Sequence, residues 1–269
     1  MTTIQPSRPS LTSNDSAILQ ALFDAESSPS AAVTIDPSLP AYPAHLNLPD
    51  PDSEAFETLK QRELSIVHSL IQSPTSTSTT TLPSQTIHSA INALDALITK
   101  YPTYPSAYVN RAQALRTLID HQSTPSSAST PEEDETSSTL FSPLNVHPTT
   151  TLFNDLTQAI TLSTPLSPAD PVSSTQARIL ADAHTHRGYL LLRAARWKRT
   201  YPDSDSGPAK LQGVEPDQLE EMASHDFFLG GRFGNKVAQQ MAVQTNPYAK
   251  MCGAIVKEAL RKEMKGGEV

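Results

Sequence analysis

The sequence predicts an all-α fold whose helices are separated by disordered inserts, and three observations predict it. Apolar residues recur at helical spacing in segment after segment, and no alternating strand pattern appears. Between those segments lie tracts of nearly pure Ser, Thr and Pro. With 23 prolines and only 37% apolar residues in 269, such tracts cannot offset their ordering entropy. Finally, the helical segments come in pairs, with a small residue in one helix set to face a large residue in the next.

Taken in chain order, "NDSAILQALFD" (14–24) is a short amphipathic segment capped by Asn14 or Asp15, with Ile18, Leu19, Leu22 and Phe23 on one face. A Pro-spaced stretch follows to about Pro51. Residues 53–72 place Phe56, Leu59, Glu63, Ile66, Val67 and Leu70 at helical spacing. Residues 84–100 do the same with Ile87, Ala90, Ile91, Leu94, Leu97 and Ile98, and stop at Tyr101-Pro102. Further helices are expected over 105–120, 151–162, 174–198, 217–229, 232–244 and 247–265. At the last start, Asn246 is a good N-cap and Pro247 suits the first helical position. Tyr248 and Cys252 then share one face, where the cysteine serves as a small buried apolar group.

The pairing has a layout. "SAYVNRAQALRTL" (106–118) and "ADAHTHRGYLLLR" (181–193) each put a basic residue before a small one, Arg111-Ala112 and Arg187-Gly188, with Leu115 and Leu191 three further on. The partner helices set a large residue three before a small one: Leu156 with Ala159, and Phe227 with Gly230. This resembles the tetratricopeptide repeat, a helix-turn-helix unit with small residues where helices cross. It implies about three stacked pairs plus C-terminal capping helices. The turns inside the pairs depart from that pattern. His68 to Ala90, Leu115 to Leu152 and Leu191 to Ala223 are 22, 37 and 32 positions apart, against about nine in the general repeat. The expected organisation is therefore an N-terminal segment with a Pro-rich linker (1–52), a three-repeat array (53–245) with inserts at about 74–83, 120–148 and 199–216, and a capping helix (246–269).

"NDSAILQALFD", "SAYVNRAQALRTL", "HRGYLL" (186–191) and "SHDFFLGGRFGNKVAQQMAVQTNPYAKMC" (224–252) stand in the order of landmarks of the tetratricopeptide repeat protein 36 family. The chain resembles a fungal-type, loop-expanded member. The resemblance implies a non-enzymatic adaptor linked to regulation of tyrosine metabolism and to Hsp70-type chaperones. Its partner would be such a chaperone or a tyrosine-catabolic enzyme, held on the concave face. Arg62, Tyr108, Asn110, Arg111, His184 and Arg187 are the residues expected to meet that partner. Chaperone-binding arrays grip two carboxylates with charge-assisted hydrogen bonds. At the corresponding positions this chain has Arg62, Ile66, Asn110, Asp182 and His186, and an aspartate there repels a carboxylate. Asn110 also has a plainer reading, an amide bonded inside the repeat.

Ile18, Leu19, Leu22 and Phe23 carry two readings, a self-ligand lying in the array's groove and a docking helix for a partner. Other chemistry is thin. The two histidines of His184-x-His186 sit about 200° apart on a helix and cannot share one metal, so no metal site or cofactor is expected. Cys252 has no base at a catalytic spacing. "GGRFG" (230–234) follows a helix, not a strand, and reads as a helix end and turn rather than a phosphate loop. The acidic "PEEDE" (131–135) beside Ser129 and Thr130 could be controlled by phosphorylation. A formal charge of −8 argues against nucleic acid, and no apolar run reaches the roughly 20 residues that span a bilayer. The start "MTTIQPSRPSLTSND" lacks the apolar core of a secretory signal, and one cysteine fits a reducing compartment. Cytoplasm, with nuclear access, is the expected location. An enzyme or small-molecule binder in the same scaffold is the alternative, which a closed pocket of titratable groups would favour over an open groove.

Overall fold

The computed structural model of the chain describes residues 33–71, 84–122, 139–167, 169–202, 206–246 and 261. The segment carrying Ile18, Leu19, Leu22 and Phe23 lies outside the described residues, as do Tyr248, Cys252, the insert at 74–83 and the acidic "PEEDE". Within them run seven α-helices: α1 (Glu54–Ile71), α2 (Ser84–Lys100), α3 (Pro105–Gln122), α4 (Val146–Ser163), α5 (Ser174–Thr200), α6 (Pro216–Arg232) and α7 (Lys236–Thr245). The architecture is all-α. Each helix packs on the next, and α1 also touches α3, as α3 touches α5. That order is compatible with stacked helix pairs.

Two cores result. Phe56, Leu59 and Ile66 of α1 close on Ala90, Leu94 and Leu97 of α2 and on Tyr104, Ala107 and Ala114 at α3. The larger core joins the other faces of α3 and α4 to α5, α6 and α7 through Leu115, Leu152, Leu156, Leu190, Trp197, Leu219 and Phe227. The small residues are where helices approach. A Cβ built on Gly188 would lie 3.1 Å from the Ala223 carbonyl oxygen and 3.2 Å from Phe227 Cδ1. One on Gly230 would lie 2.7 Å from Thr185 Oγ1 and 3.2 Å from the Ala238 methyl. Gly230 thus lets α6 sit against α5 and α7 together. The "GGRFG" stretch ends α6 and turns, with Gly234 at φ 101°, and the Asn235 side chain caps α7 by accepting from Ala238 N at 3.0 Å.

The described residues reach into two of the expected inserts, those at about 120–148 and 199–216. α3 runs to Gln122, the chain is packed again from Thr139, and α4 begins at Val146 rather than 151. Leu140 and Phe141 account for this. They are 0% and 2% exposed, Phe141 lies 5.8 Å from Trp197, and Thr149 donates to the Leu140 carbonyl at 2.7 Å. The third insert is not a free loop over its second half. Residues 206–214 fold back through a 3-10 turn (Ala209–Leu211) that buries Leu211. Lys198 Nζ clamps that turn by donating to the carbonyls of Leu211 (2.6 Å) and Val214 (3.0 Å).

The Pro-rich linker, from residue 33 onward, is a strap. Ile35 bridges Val172 in parallel, with Asp36 N donating to Val172 O and Val172 N to Thr34 O, both at 2.9 Å. Ser173 donates to Ala41 O at 2.9 Å while its oxygen caps α5. Further along, Leu46 is 2% exposed, and Tyr42 meets Phe56 and Tyr104 edge-on at 6.0 and 5.4 Å. Apolar anchors among the prolines, not the prolines, decide this path.

Candidate functional site

The polar chemistry of the interior is concentrated in interhelical arginine–aspartate forks. Arg111 on α3 donates through Nε to Asp155 Oδ2 (2.8 Å) and through Nη2 to Oδ1 (2.5 Å) on α4, and its Nη1 reaches Asp95 on α2 at 2.6 Å. Arg187 on α5 repeats the device on α6, with Nε to Asp226 Oδ2 at 2.8 Å and Nη2 to Oδ1 at 2.7 Å. Planar two-bond pairing of this kind is what guanidinium and carboxylate favour. His184 Nδ1 lies 2.8 Å from the same Asp226, and its ring stacks on Phe233 at 6.2 Å. The two aspartates differ electrostatically. Burial raises the Asp155 carboxyl, and the Arg111 bonds only partly reverse it. Burial pushes Asp226 up too, but the bonds from Arg187 and His184 prevail and hold it below the ordinary range.

A third polar node lies between α1 and α3. Glu63, 8% exposed, accepts from the Tyr104 hydroxyl, the Ser106 hydroxyl and the Asn110 side-chain amide. Beside this node, burial pushes the Tyr42 phenol up to about 12.

The expected partner-contacting residues therefore sit as follows. Arg111, Arg187 and His184 each bond an aspartate on a neighbouring helix. Tyr108 donates to the Pro102 carbonyl at 2.8 Å. Asn110 is bonded internally, to a carboxylate. Arg62 is exposed on α1, at the rim of a small cleft with Glu54, Lys100 and Tyr101. Among the other clamp positions, Ile66 is in the core, Asp182 is exposed and His186 half-buried. His184 and His186 do part to different neighbours: His184 faces Asp226, and His186 faces Arg116 of α3 closely enough to feel its charge.

The site that reasoning from sequence missed is a cleft of about 720 Å³ between α4, α5, α6 and the folded-back 206–214 turn. Phe153, Leu191, Leu211, Val214 and Met222 line it, with the Arg187–Asp226 fork at its wall. Met222 is 46% exposed there. Lys210 holds the rim by donating to Asn154 Oδ1 at 3.0 Å. Nothing in the pattern of "GPAKLQGVEP" announces that wall, because Leu211 and Val214 among polar and small residues are too few to carry a periodicity. Among the described residues no group of three or more His, Cys, Asp or Glu side chains could hold a metal ion, and no helix is long and apolar enough to cross a membrane.

Sequentially packed helices, joined by Arg–Asp forks and carrying an open apolar cleft, define an all-α protein. No family model and no solved structure matches the chain. It is, however, 63% identical over 267 residues, 98% of either chain, to the L-tyrosine degradation gene cluster protein hmgX of Aspergillus fumigatus. The chain belongs to the family of that protein.

Proposed function

We propose that this chain is a non-enzymatic adaptor of tetratricopeptide-repeat type that serves tyrosine degradation by binding a protein partner, an enzyme of that pathway, in the cytoplasm and with nuclear access. The observation that carries the reading is the near-full-length identity to a protein of an L-tyrosine degradation gene cluster. The geometry supports an adaptor because the charged residues in the helix pairs are used to join helices and the apolar cleft is open. An enzyme partner is preferred over a chaperone tail. Glu63 beside Asn110 places a buried negative charge where a chaperone carboxylate would have to arrive.

The test is capture with the immobilised full-length chain from native lysate of tyrosine-grown cells, read by mass spectrometry. Enrichment of tyrosine-degradation enzymes is expected, and their absence removes the adaptor reading. The cleft gives a second reading some support, since about 720 Å³ is within the range of small-molecule sites. A thermal shift on adding L-tyrosine that disappears in Met222→Arg decides for that reading.

A further inference from the structure

The cleft between α4, α5, α6 and the 206–214 turn suits an apolar ligand. Phe153, Leu191, Leu211, Val214 and Met222 line its volume of about 720 Å³, and Met222 is 46% exposed. The charges on its wall cancel: Arg187 is forked to Asp226, and Lys210 is balanced in sign by Glu221. The strap ties the N-terminal chain to one end of the α4–α5 pair. Thr34 O accepts from Val172 N at 2.9 Å, and Val172 precedes Ser173, the cap of α5. The end of α4 is there too, since Gln176 Nε2 donates to the Ser163 carbonyl at 3.3 Å. From Ser174, Arg187 is thirteen residues along α5, roughly 20 Å; from Ser163, Phe153 is ten residues back along α4, roughly 15 Å. Ten residues lead from Phe23 to Val33, and fully extended they span roughly 33–36 Å. The cleft is within their reach.

We infer that residues 14–24 of the chain itself, which lie outside the described residues, dock in this cleft and set Ile18, Leu19, Leu22 and Phe23 against its apolar wall. Anything else that enters the cleft then has to displace them. The inference goes beyond the adaptor reading and does not need it. The four side chains stand at i, i+1, i+4 and i+5, one face of a helix, which is the pattern an apolar groove takes. A tether of this length holds the segment at an effective concentration of about 1 mM, so an outside ligand meets a competitor already in place. The residues after Asn246 are poorer occupants. α7 packs on α6 at Gly231, about 140° round the helix from Gln218, whose face lines the cleft. Those residues also carry Lys250, Lys257, Arg261, Lys262 and Lys265, whereas residues 14–24 have no basic side chain to desolvate.

The test is isothermal titration of the full chain with an N-acetylated, C-amidated peptide of residues 11–26. The double variant Leu19→Asp/Phe23→Asp is expected to bind it at least about tenfold more tightly than wild type, whose own segment competes. Adding Met222→Arg to the double variant should abolish binding. Adding Leu64→Asp, at a side chain 55% exposed on α1, should change nothing. Variants are compared at matched helical circular dichroism. A second measurement places the segment directly: a nitroxide on Ser16→Cys, with Cys252→Ser, should broaden the Met222 methyl resonance more than that of Met241 on α7. Equal affinity of wild type and double variant, no binding by the double variant, loss with Leu64→Asp instead of Met222→Arg, or an unbroadened Met222 each overturns the inference. Broadening that passes from a labelled chain to an unlabelled one gives the cleft to a second copy and overturns it as well. If self-docking fails while tyrosine-degradation enzymes are captured, the adaptor reading stands. If it holds and none is captured, the adaptor reading falls and the self-ligand remains.

Discussion

Arg187 and Asp226, 39 positions apart in the chain, close a two-bond fork between α5 and α6, and Arg111 and Asp155, 44 apart, close the same fork between α3 and α4. Two successive helix pairs are thus held by one device. In each, the arginine precedes the small residue of the first helix, and the aspartate precedes the large residue of the second.

Breaking the fork at its buried end should be costly. Asp226 is 2% exposed and serves both Arg187 and His184. Asp226→Ala leaves a half-buried guanidinium uncompensated and is expected to lower unfolding free energy by about 3 kcal/mol. Asp155→Ala should cost less, because Arg111 keeps Asp95. Urea denaturation followed by circular dichroism measures both, and the reverse ranking contradicts the account.

Glycine at the crossings is required by space. Gly230→Ala drives a methyl to 2.7 Å from Thr185 Oγ1, a hydroxyl already committed to the Ala181 carbonyl. Gly188→Ala meets the α6 backbone at 3.1 Å. Each should destabilise by about 1–3 kcal/mol, with the helix-propensity gain of alanine recovering less than about 1 kcal/mol. A rise in melting temperature for either variant contradicts this packing.

Acid should act on the two forks with opposite sign. The Asp226 carboxyl is lowered in the fold, so its contribution is present above the unfolded value of about 3.9 and is lost as pH falls through the folded value. The Asp155 carboxyl is raised, so its folded form takes up a proton first, and acidification relieves a penalty that exists at neutral pH. His186 adds a third slope. Burial, then the Arg116 charge, lower it to about 3, so the unfolded chain protonates first and stability falls as pH drops from about 6.5 toward 3. Stability–pH curves for Asp226→Asn, Asp155→Asn and His186→Asn, each subtracted from wild type, should show these slopes.

The strap should be a stability element. Leu46→Ala removes a side chain that is 2% exposed and should cost about 2–4 kcal/mol. Thr103→Val should cost about 1 kcal/mol by losing the bond to the Leu46 carbonyl. Limited proteolysis near residues 40–50 should accelerate in both, and unchanged cleavage contradicts a docked strap.

Lys198→Met should open the wall of the cleft. It removes the ammonium that donates to both the Leu211 and Val214 carbonyls, so hydrogen exchange at Leu211 and Val214 should rise while α5 stays protected. Equal protection contradicts the clamp.

Much of the fold was legible. Six of the seven helices were placed within a few residues because each buries one apolar stripe, and Gly188 and Gly230 were readable as crossing points because a small residue is local information. Ser173 and Gln176, which form the capping box of α5, spell its start in the sequence to the residue. The forks were half legible. Arg111 and Arg187 stood out, while Asp155 and Asp226 were visible only as the acids preceding Leu156 and Phe227. Glu63 was legible as a member of the apolar stripe of α1, but not as the acceptor for Tyr104, Ser106 and Asn110.

What the amino-acid sequence determined, then, is the all-α class, the helical segments and the small-residue crossings at Gly188 and Gly230, which follow from spacing within one helix. Tertiary structure alone decided that residues 33–50 and 206–214 dock, that Asn110 bonds Glu63, and that the Arg111 and Arg187 forks close. Those outcomes depend on which atoms of distant segments come within about 3 Å of one another, a relation that no spacing along the chain encodes.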